Sequence, residues 1–321
     1  MTRTPRNTAL RLRGPQSRPP RVTPELIADL AYRLTHRDRD ILTLIWEHRV
    51  LTTGQLTAIF FPSPERARQR LNRLYRLHAL LRFRPWTPTG SVPWHWVLGP
   101  AGAHVLAAQH GQSPNAFGYR QDAVTGIAVS PRLGHQTGVN DFFAQLHAHA
   151  RHRNDGTRLD PWWSEHRCAS LWGDLARPDA YGRWTEFSST APATRAGAAA
   201  RSATLDFFLE HDTGTGTLAR VAGKLGGYAD LAEATGTTTP VLFWLPSPTR
   251  EANLRKLLGD TLEVPVATAV HTPTTSPDGP AGPIWQPAPA AGPRHRLAEL
   301  AHLWSTTPRP EPDMPHRPRT R

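Results

Sequence analysis

The stretches "ARPDA" (residues 176–180) and "LDFFLEHDTGTGTLARVAGKLGGY" (residues 205–228) decide how the second half of this chain folds and what it can do. In an extended strand successive side chains point to opposite faces. Leu205, Phe207 and Leu209 therefore point into a core, and Asp206, Phe208, Glu210 and Asp212 share the other face. A Gly/Thr run ends the strand, and "TLARVAGKLGGYADLAEATG" reads as a helix weakened by Gly223, Gly226 and Gly227. Asp179 follows Pro178 in "LARPDAYGRW", a second short strand. If the two strand ends lie together, Asp179, Glu210 and Asp212 converge. Three carboxylates in one place repel unless a cation neutralises them. An oxygen-rich set suits Mg²⁺ or Mn²⁺, which would activate water and stabilise charge on a phosphodiester. Lys224, leaning back from the helix, would stabilise developing negative charge or orient the water. Asp179, Glu210, Asp212 and Lys224 are the candidate catalytic residues, the three acids the candidate metal ligands. The plain alternative is a turn cap at Asp179, a solvated strand end at Glu210 and Asp212, and an exposed helix lysine.

A lysine is rare here. Of 321 residues, 36 are Arg and two are Lys, Lys224 and Lys256, and the formal net charge is +12. A GC-rich coding sequence favours Arg over Lys, so position says more than the total. Residues 1–22 carry six Arg and no acid, and residues 23–110 carry eleven Arg against six acids. The remainder is nearly balanced. The positive field belongs to the N-terminal third and calls for an acidic polymer, nucleic acid first. The single cysteine, Cys168, excludes a disulfide framework and a multi-Cys metal site, and fits a cytoplasmic location. No apolar run is long enough for a membrane span. The Arg/Pro-rich start lacks an apolar core and reads as a disordered basic arm, not a secretory signal.

From Thr23 the pattern turns helical. "TPELIADLAYRL", "THRDRDILTLIWEHRV", the short "LTTGQLTAIFFP" and the longer "SPERARQRLNRLYRLHALLRF" are four helices with N-cap and proline signals. "RFRPWTPTGSVPWHWVLGPAG" reads as two strands around a Pro/Gly turn, and "AGAHVLAAQHG" as a closing helix. Helix, short helix, basic helix and hairpin is the layout of a winged helix-turn-helix, whose third helix enters the major groove while the hairpin meets the backbone. Arg66, Arg68, Arg70, Asn72, Arg73 and Arg76 on the basic helix, with Arg82 and Arg84 on the hairpin, are the candidate DNA contacts. Winged helices also bind proteins, and a solvated arginine face is the bland reading.

Residues 111–130 read as a linker. Beyond it "PRLGHQTGVNDFFAQLHAHA" is a helix with Val139, Phe142, Phe143 and Leu146 inward, "PWWSEHRCASLW" a strand, "TPVLFWLPS" a strand, "TREANLRKLLGD" a helix and "VPVATAV" a last strand. The "HAHARHR" run (147–153) reads as a polar helix end. The order α-β-β-β-α-β-α-β predicts a mixed sheet flanked by helices. The expected organisation is a basic arm (1–22), a winged helix (23–110), a linker (111–130), an α/β domain (131–271), a Pro/Ala-rich extension with a short helix (272–305) and a disordered tail (306–321).

Pro178-Asp179, then Glu210-x-Asp212, then Lys224 resembles the PD-(D/E)XK nuclease-like superfamily. The usual lysine position, two after the glutamate, holds Asp212, and Lys224 matches members whose lysine has moved to the next helix. Glu165 in "WWSE" is a further carboxylate for the same site. The segments "LTHRDRDILTLIWEHRVLTTGQLTAIFF", "ARQRLNRLYRLHALLRF", "LGPAGAHVLA", "LGHQTGVNDFFAQL", "RPDA", "FLEHDTGT" and "KLGGYADL" together resemble the actinobacterial replication-relaxation family, tied to plasmid replication and relaxation. The resemblance implies an α+β / α/β chain, a winged helix followed by a mixed-sheet restriction-endonuclease-like domain. It leaves catalysis open. Three readings follow. One is a plasmid or mobile-element DNA-binding protein with Mg²⁺- or Mn²⁺-dependent nicking. Another is a non-catalytic replication accessory factor that meets double-stranded DNA and other replication or transfer proteins. The last is a transcriptional regulator that senses a ligand.

Overall fold

Helices begin where the sequence supplies caps. The computed structural model describes residues 23–85, 90, 92–187, 202–271 and 278–304; the basic arm and the tail from Thr306 lie outside them. After α1 (Pro24–Arg33), Thr35 caps α2 (His36–His48) and Thr52 caps α3 (Thr53–Phe60), each in a reciprocal box with Asp38 or Gln55 three residues on. Ser63 and Pro64 open α4 (Pro64–Arg76). Strands β1 (Leu51–Thr52), β2 (Leu80–Phe83) and β3 (His95–Leu98) form an antiparallel sheet in the order β1-β3-β2, and α5 (Pro100–Gln109) packs behind it. Ala67, Leu71 and Leu74 bury one face of α4.

The stretch read as a linker carries structure. It holds α6 (Gln121–Gly126) and a 3-10 turn over Ile127–Val129. Ile127 packs with Val50, Phe83 and Val97, and the Tyr119 hydroxyl donates to the Leu98 carbonyl at 3.3 Å.

The second sheet runs β4-β5-β6-β7-β8-β9, built from β4 (Arg158–Ser164), β5 (Ala180–Phe187), β6 (Ser202–His211), β7 (Val241–Leu245), β8 (Val266–Val270) and β9 (Gln286–Ala288). The first three strands are antiparallel, β6, β7 and β8 are parallel, and β9 returns antiparallel. The sheet is therefore mixed, as the element order predicts. On one side lie α7 (Leu133–Arg153) and α11 (Leu297–Leu303), with Phe142 and Phe143 against Phe207. On the other lie α9 (Leu218–Thr235) and α10 (Pro248–Leu258), with Tyr228 stacked on Phe208. Both faces of β6 are thus buried, so its acidic face looks into protein rather than water. Each buried Phe contributes about 2–3 kcal/mol.

Two sequence expectations fail here. "PWWSEHRCASLW" is not one strand. Ser164 accepts the Arg167 N–H at 3.2 Å and caps α8 (Glu165–Trp172), so the chain turns helical after the tryptophans. The Pro/Ala-rich extension carries more than the short helix expected of it. Trp285 is fully buried, its indole donating to Pro280 O at 2.7 Å, and β9 follows it.

α7 joins the two sheets. The Asn140 side-chain amide donates to Val50 O at 2.6 Å, and Arg151 to Phe61 O at 2.6 Å. His48 stacks on Trp162 with centroids 3.6 Å apart, and Glu47 accepts the Ser164 N–H and hydroxyl. His147 packs on Trp162 as well, so the polar helix end expected at "HAHARHR" is partly interior.

Candidate functional site

Strand pairing assembles the acidic centre. Asp179 precedes β5, and its N–H donates to Leu209 O at 3.1 Å, extending the β5–β6 ladder by one residue. That places its side chain beside Glu210 on β6. Lys224 and Tyr228 stand four residues apart on α9 and so share a face. Both reach Glu210: the Lys224 ammonium donates to Oε2 and the Tyr228 hydroxyl to Oε1. The Lys224 Nζ is also 3.9 Å from Asp179 Oδ1. Asp179 Oδ2 accepts the His211 N–H at 2.8 Å, and its Oδ1 lies 3.2 Å from His135 Nε2. Both acids are buried, while the Lys224 side chain is 38% exposed and marks the mouth. At the rim Glu165 opens α8 and pairs with Arg132 at 2.8 Å.

Two glycines permit these approaches. A Cβ on Gly227 would meet Leu175 O at 2.3 Å, so α9 can press on the segment leading to Asp179. A Cβ on Gly138 would meet the His211 ring at 2.2 Å, so α7 can lie against the end of β6.

The charges are interlocked. Burial pushes the Asp179 carboxyl up, but the His135 bond, the Lys224 charge and the His211 N–H outweigh it and leave its pKa below the ordinary value. Burial and then the Asp179 charge push Glu210 up to about 8, against the pull of Lys224 and Tyr228. Burial disfavours charge on Lys224 and His135 too, yet the neighbouring carboxylates raise both. The two carboxyls titrate as a coupled pair in which charge is held more readily on Asp179 than on Glu210.

Asp212 does not join them. β6 ends at His211, and the chain turns so that Asp212 Oδ1 accepts the Gly214 N–H at 2.9 Å. Arg250 of α10 then clamps the carboxylate, its NH2 at 3.1 Å from Oδ1 and its Nε on Oδ2. The strand alternation that placed Asp212 with Glu210 stops one residue too soon. Asp206, on the same face, pairs across the strands with Arg183 at 2.6 Å. Among the described residues no group of three or more His, Cys, Asp or Glu is arranged to hold a metal ion. A three-carboxylate centre for Mg²⁺ or Mn²⁺ does not fit these residues. The two remaining carboxylates already accept a bond at every oxygen.

The arginines also divide. Arg66, Arg73 and Arg76 are exposed on one side of α4, and their side chains make no ion pair among the described residues. Arg68 pairs with Glu65 at 2.9 Å. Arg70 turns inward: its Nε donates to Asp38 Oδ1 at 2.7 Å and its NH2 to Oδ2, neutralising a fully buried acid. Asn72 Oδ1 accepts from Arg82 NH1 at 2.6 Å. The Arg82 guanidinium lies 4.4 Å from the Tyr75 ring and 4.2 Å from Trp94, and Arg84 sits 4.2 Å over Trp94. Both hairpin arginines are held by cation–π contacts at the base of the turn.

A family profile described as replication-relaxation matches residues 42–242. The chain belongs to the replication-relaxation family. No curated protein and no solved structure matches. The family match runs from α2 to the start of β7 and takes in both the arginine helix and the acidic centre. Tyr228, His135, Arg250 and Asp38 complete these sites and were not singled out from sequence. Tyr228 had a local signal, its spacing of four from Lys224.

Proposed function

We propose that this chain is a DNA-binding factor of plasmid or mobile-element replication and relaxation. In this reading α1–α5 and the small sheet form a winged helix that docks α4 on duplex DNA. The observation that carries it is the open face of α4, where Arg66, Arg73 and Arg76 stand exposed and opposite the buried Ala67, Leu71 and Leu74. Guanidinium groups so placed clamp phosphates or pair with guanine edges. Arg82 and Arg84, pre-stacked at the base of the hairpin, supply further backbone contacts. The six arginines of residues 1–22 add salt-dependent affinity.

The order α7-β4-α8-β5-β6-α9-β7, with Asp179, Glu210 and Lys224 gathered at one end, supports a nuclease-like PD-(D/E)XK framework for the second unit. Because Asp212 is withdrawn by Arg250, the reading supported best is an accessory factor that binds without cutting. Nicking is the second reading, favoured by the convergence of Asp179 and Glu210 on a lysine at a partly open mouth.

Two assays on the purified full chain test this. Affinity for duplex DNA is measured across a range of salt, and supercoiled plasmid is incubated with Mg²⁺, Mn²⁺ or chelator. The proposal expects log K to fall steeply with log salt and the plasmid to stay supercoiled. A flat salt dependence contradicts DNA docking. Metal-dependent nicking that Asp179→Ala and Glu210→Ala abolish contradicts the non-cutting reading.

A further inference from the structure

From the bonding around Asp179 and Glu210 we infer that Lys224 is the resident cation of this centre, standing where a divalent ion would stand, so that the centre is complete without metal. It deepens the non-cutting reading of the second unit and is independent of whether α4 binds DNA. Three observations carry it. The ammonium is within ion-pair range of both carboxylates, bonded to Glu210 and 3.9 Å from Asp179. Every carboxylate oxygen has a protein donor: His211 N–H at 2.8 Å and His135 at 3.2 Å on Asp179, Tyr228 and Lys224 on Glu210. The third acid is held away by Arg250.

The residue type matters. An ammonium is a compact point charge with three donors and so can sit between two buried acids. Of the two Lys in the chain, beside 36 Arg, one stands here. The bare Cα of Gly227 lets α9, which carries Lys224, press on the segment leading to Asp179. A divalent ion, which must strip water and take oxygen ligands at about 2.1 Å, would have to expel Nζ and reorganise these donors.

Removing the ammonium should therefore create the ion site that the native chain lacks. The side chain is 38% exposed, so the vacated place is open to solvent ions. Thermal unfolding of the full chain is followed with and without millimolar Mn²⁺, alongside electron paramagnetic resonance of the Mn²⁺ itself. The native chain should show no Mn²⁺ shift beyond that of Asp179→Asn. Lys224→Met should melt about 5–10 °C lower, because two buried carboxylates lose their cation. Mn²⁺ should restore part of that loss. The double variant Asp179→Asn/Lys224→Met should recover stability and ignore Mn²⁺. Site-bound Mn²⁺ in the native chain that disappears in Asp179→Asn overturns the inference. So does a Lys224→Met protein with native stability and no Mn²⁺ response. Should Lys224→Met not fold, the resonance comparison of native and Asp179→Asn proteins decides alone: no difference supports the resident lysine, and a lost site refutes it.

Discussion

The exposed face of α4 and the end of the β5–β6 ladder treat charge oppositely. On α4, Arg66, Arg73 and Arg76 point to solvent and find no acid of their own among the described residues. At Asp179 and Glu210 each charge is closed by a neighbour, and Lys224 is the most exposed member of the set. An open set of like charges costs little in the free protein because water solvates it, and it gains when a polyanion arrives. A closed set gives nothing to an outside ligand unless something is expelled. In the proposed reading the difference separates a surface that binds from a centre that holds elements together.

Arg70 offers the sharpest test of that contrast, because it lies on the same helix as the open arginines yet belongs to the closed kind. Arg70→Ala leaves Asp38 buried with its strongest partner gone. Denaturant unfolding should show a loss of about 3 kcal/mol. Arg73→Ala should stay within about 0.5 kcal/mol. Equal costs would erase the distinction.

A second test uses pH. Burial, and then the His147 charge, push His48 well below its ordinary pKa of 6.5, and burial pushes His147 to about 4 despite Asp160 nearby. Both are neutral in the fold, whereas the unfolded chain protonates them below 6.5. Stability is thus fully present above that value and falls as pH drops towards 4, by up to about 1.4 kcal/mol per pH unit for each histidine. His135 works the other way: its pKa is raised by Asp179, so its contribution is present in acid and fades as pH rises through the folded value. Denaturation at a series of pH values should show the acid loss, and His48→Gln should flatten it. An unchanged slope would remove the buried pair from the account.

The smallest effect belongs to Arg68. Its pair with Glu65 is exposed on both sides, so Arg68→Ala should change stability by less than about 0.5 kcal/mol. A larger loss in the same unfolding assay would show that α4 depends on surface pairs.

Much of this was legible in the chain. The helical period and proline of "SPERARQRLNRLYR" give α4 and its buried Ala67, Leu71 and Leu74 directly. The alternation of "LDFFLE" gives β6, and Asp179, Glu210 and Lys224 do meet. What failed were facts of termination and of distant partners. Asp212 was misplaced because no periodicity says that the strand stops at His211. Arg70 was counted among the outward arginines because Asp38, its partner, lies 32 residues away. His135 reaches Asp179 across a helix-to-sheet contact that local pattern cannot show. In "PWWSEHRCASLW" aromatic content spoke for a strand, while the Ser164 cap spoke for the helix that forms after it.

If α4 meets DNA as proposed, its open arginines and not Arg70 carry the binding. The direct measurement is the salt dependence of duplex binding for the native chain, for Arg66→Ala/Arg73→Ala/Arg76→Ala and for Arg70→Ala, each shown folded. The expected result is that the triple variant loses about 3 from the log–log slope and that Arg70→Ala keeps the native slope. A native slope in the triple variant, or a reduced slope in Arg70→Ala, would contradict it.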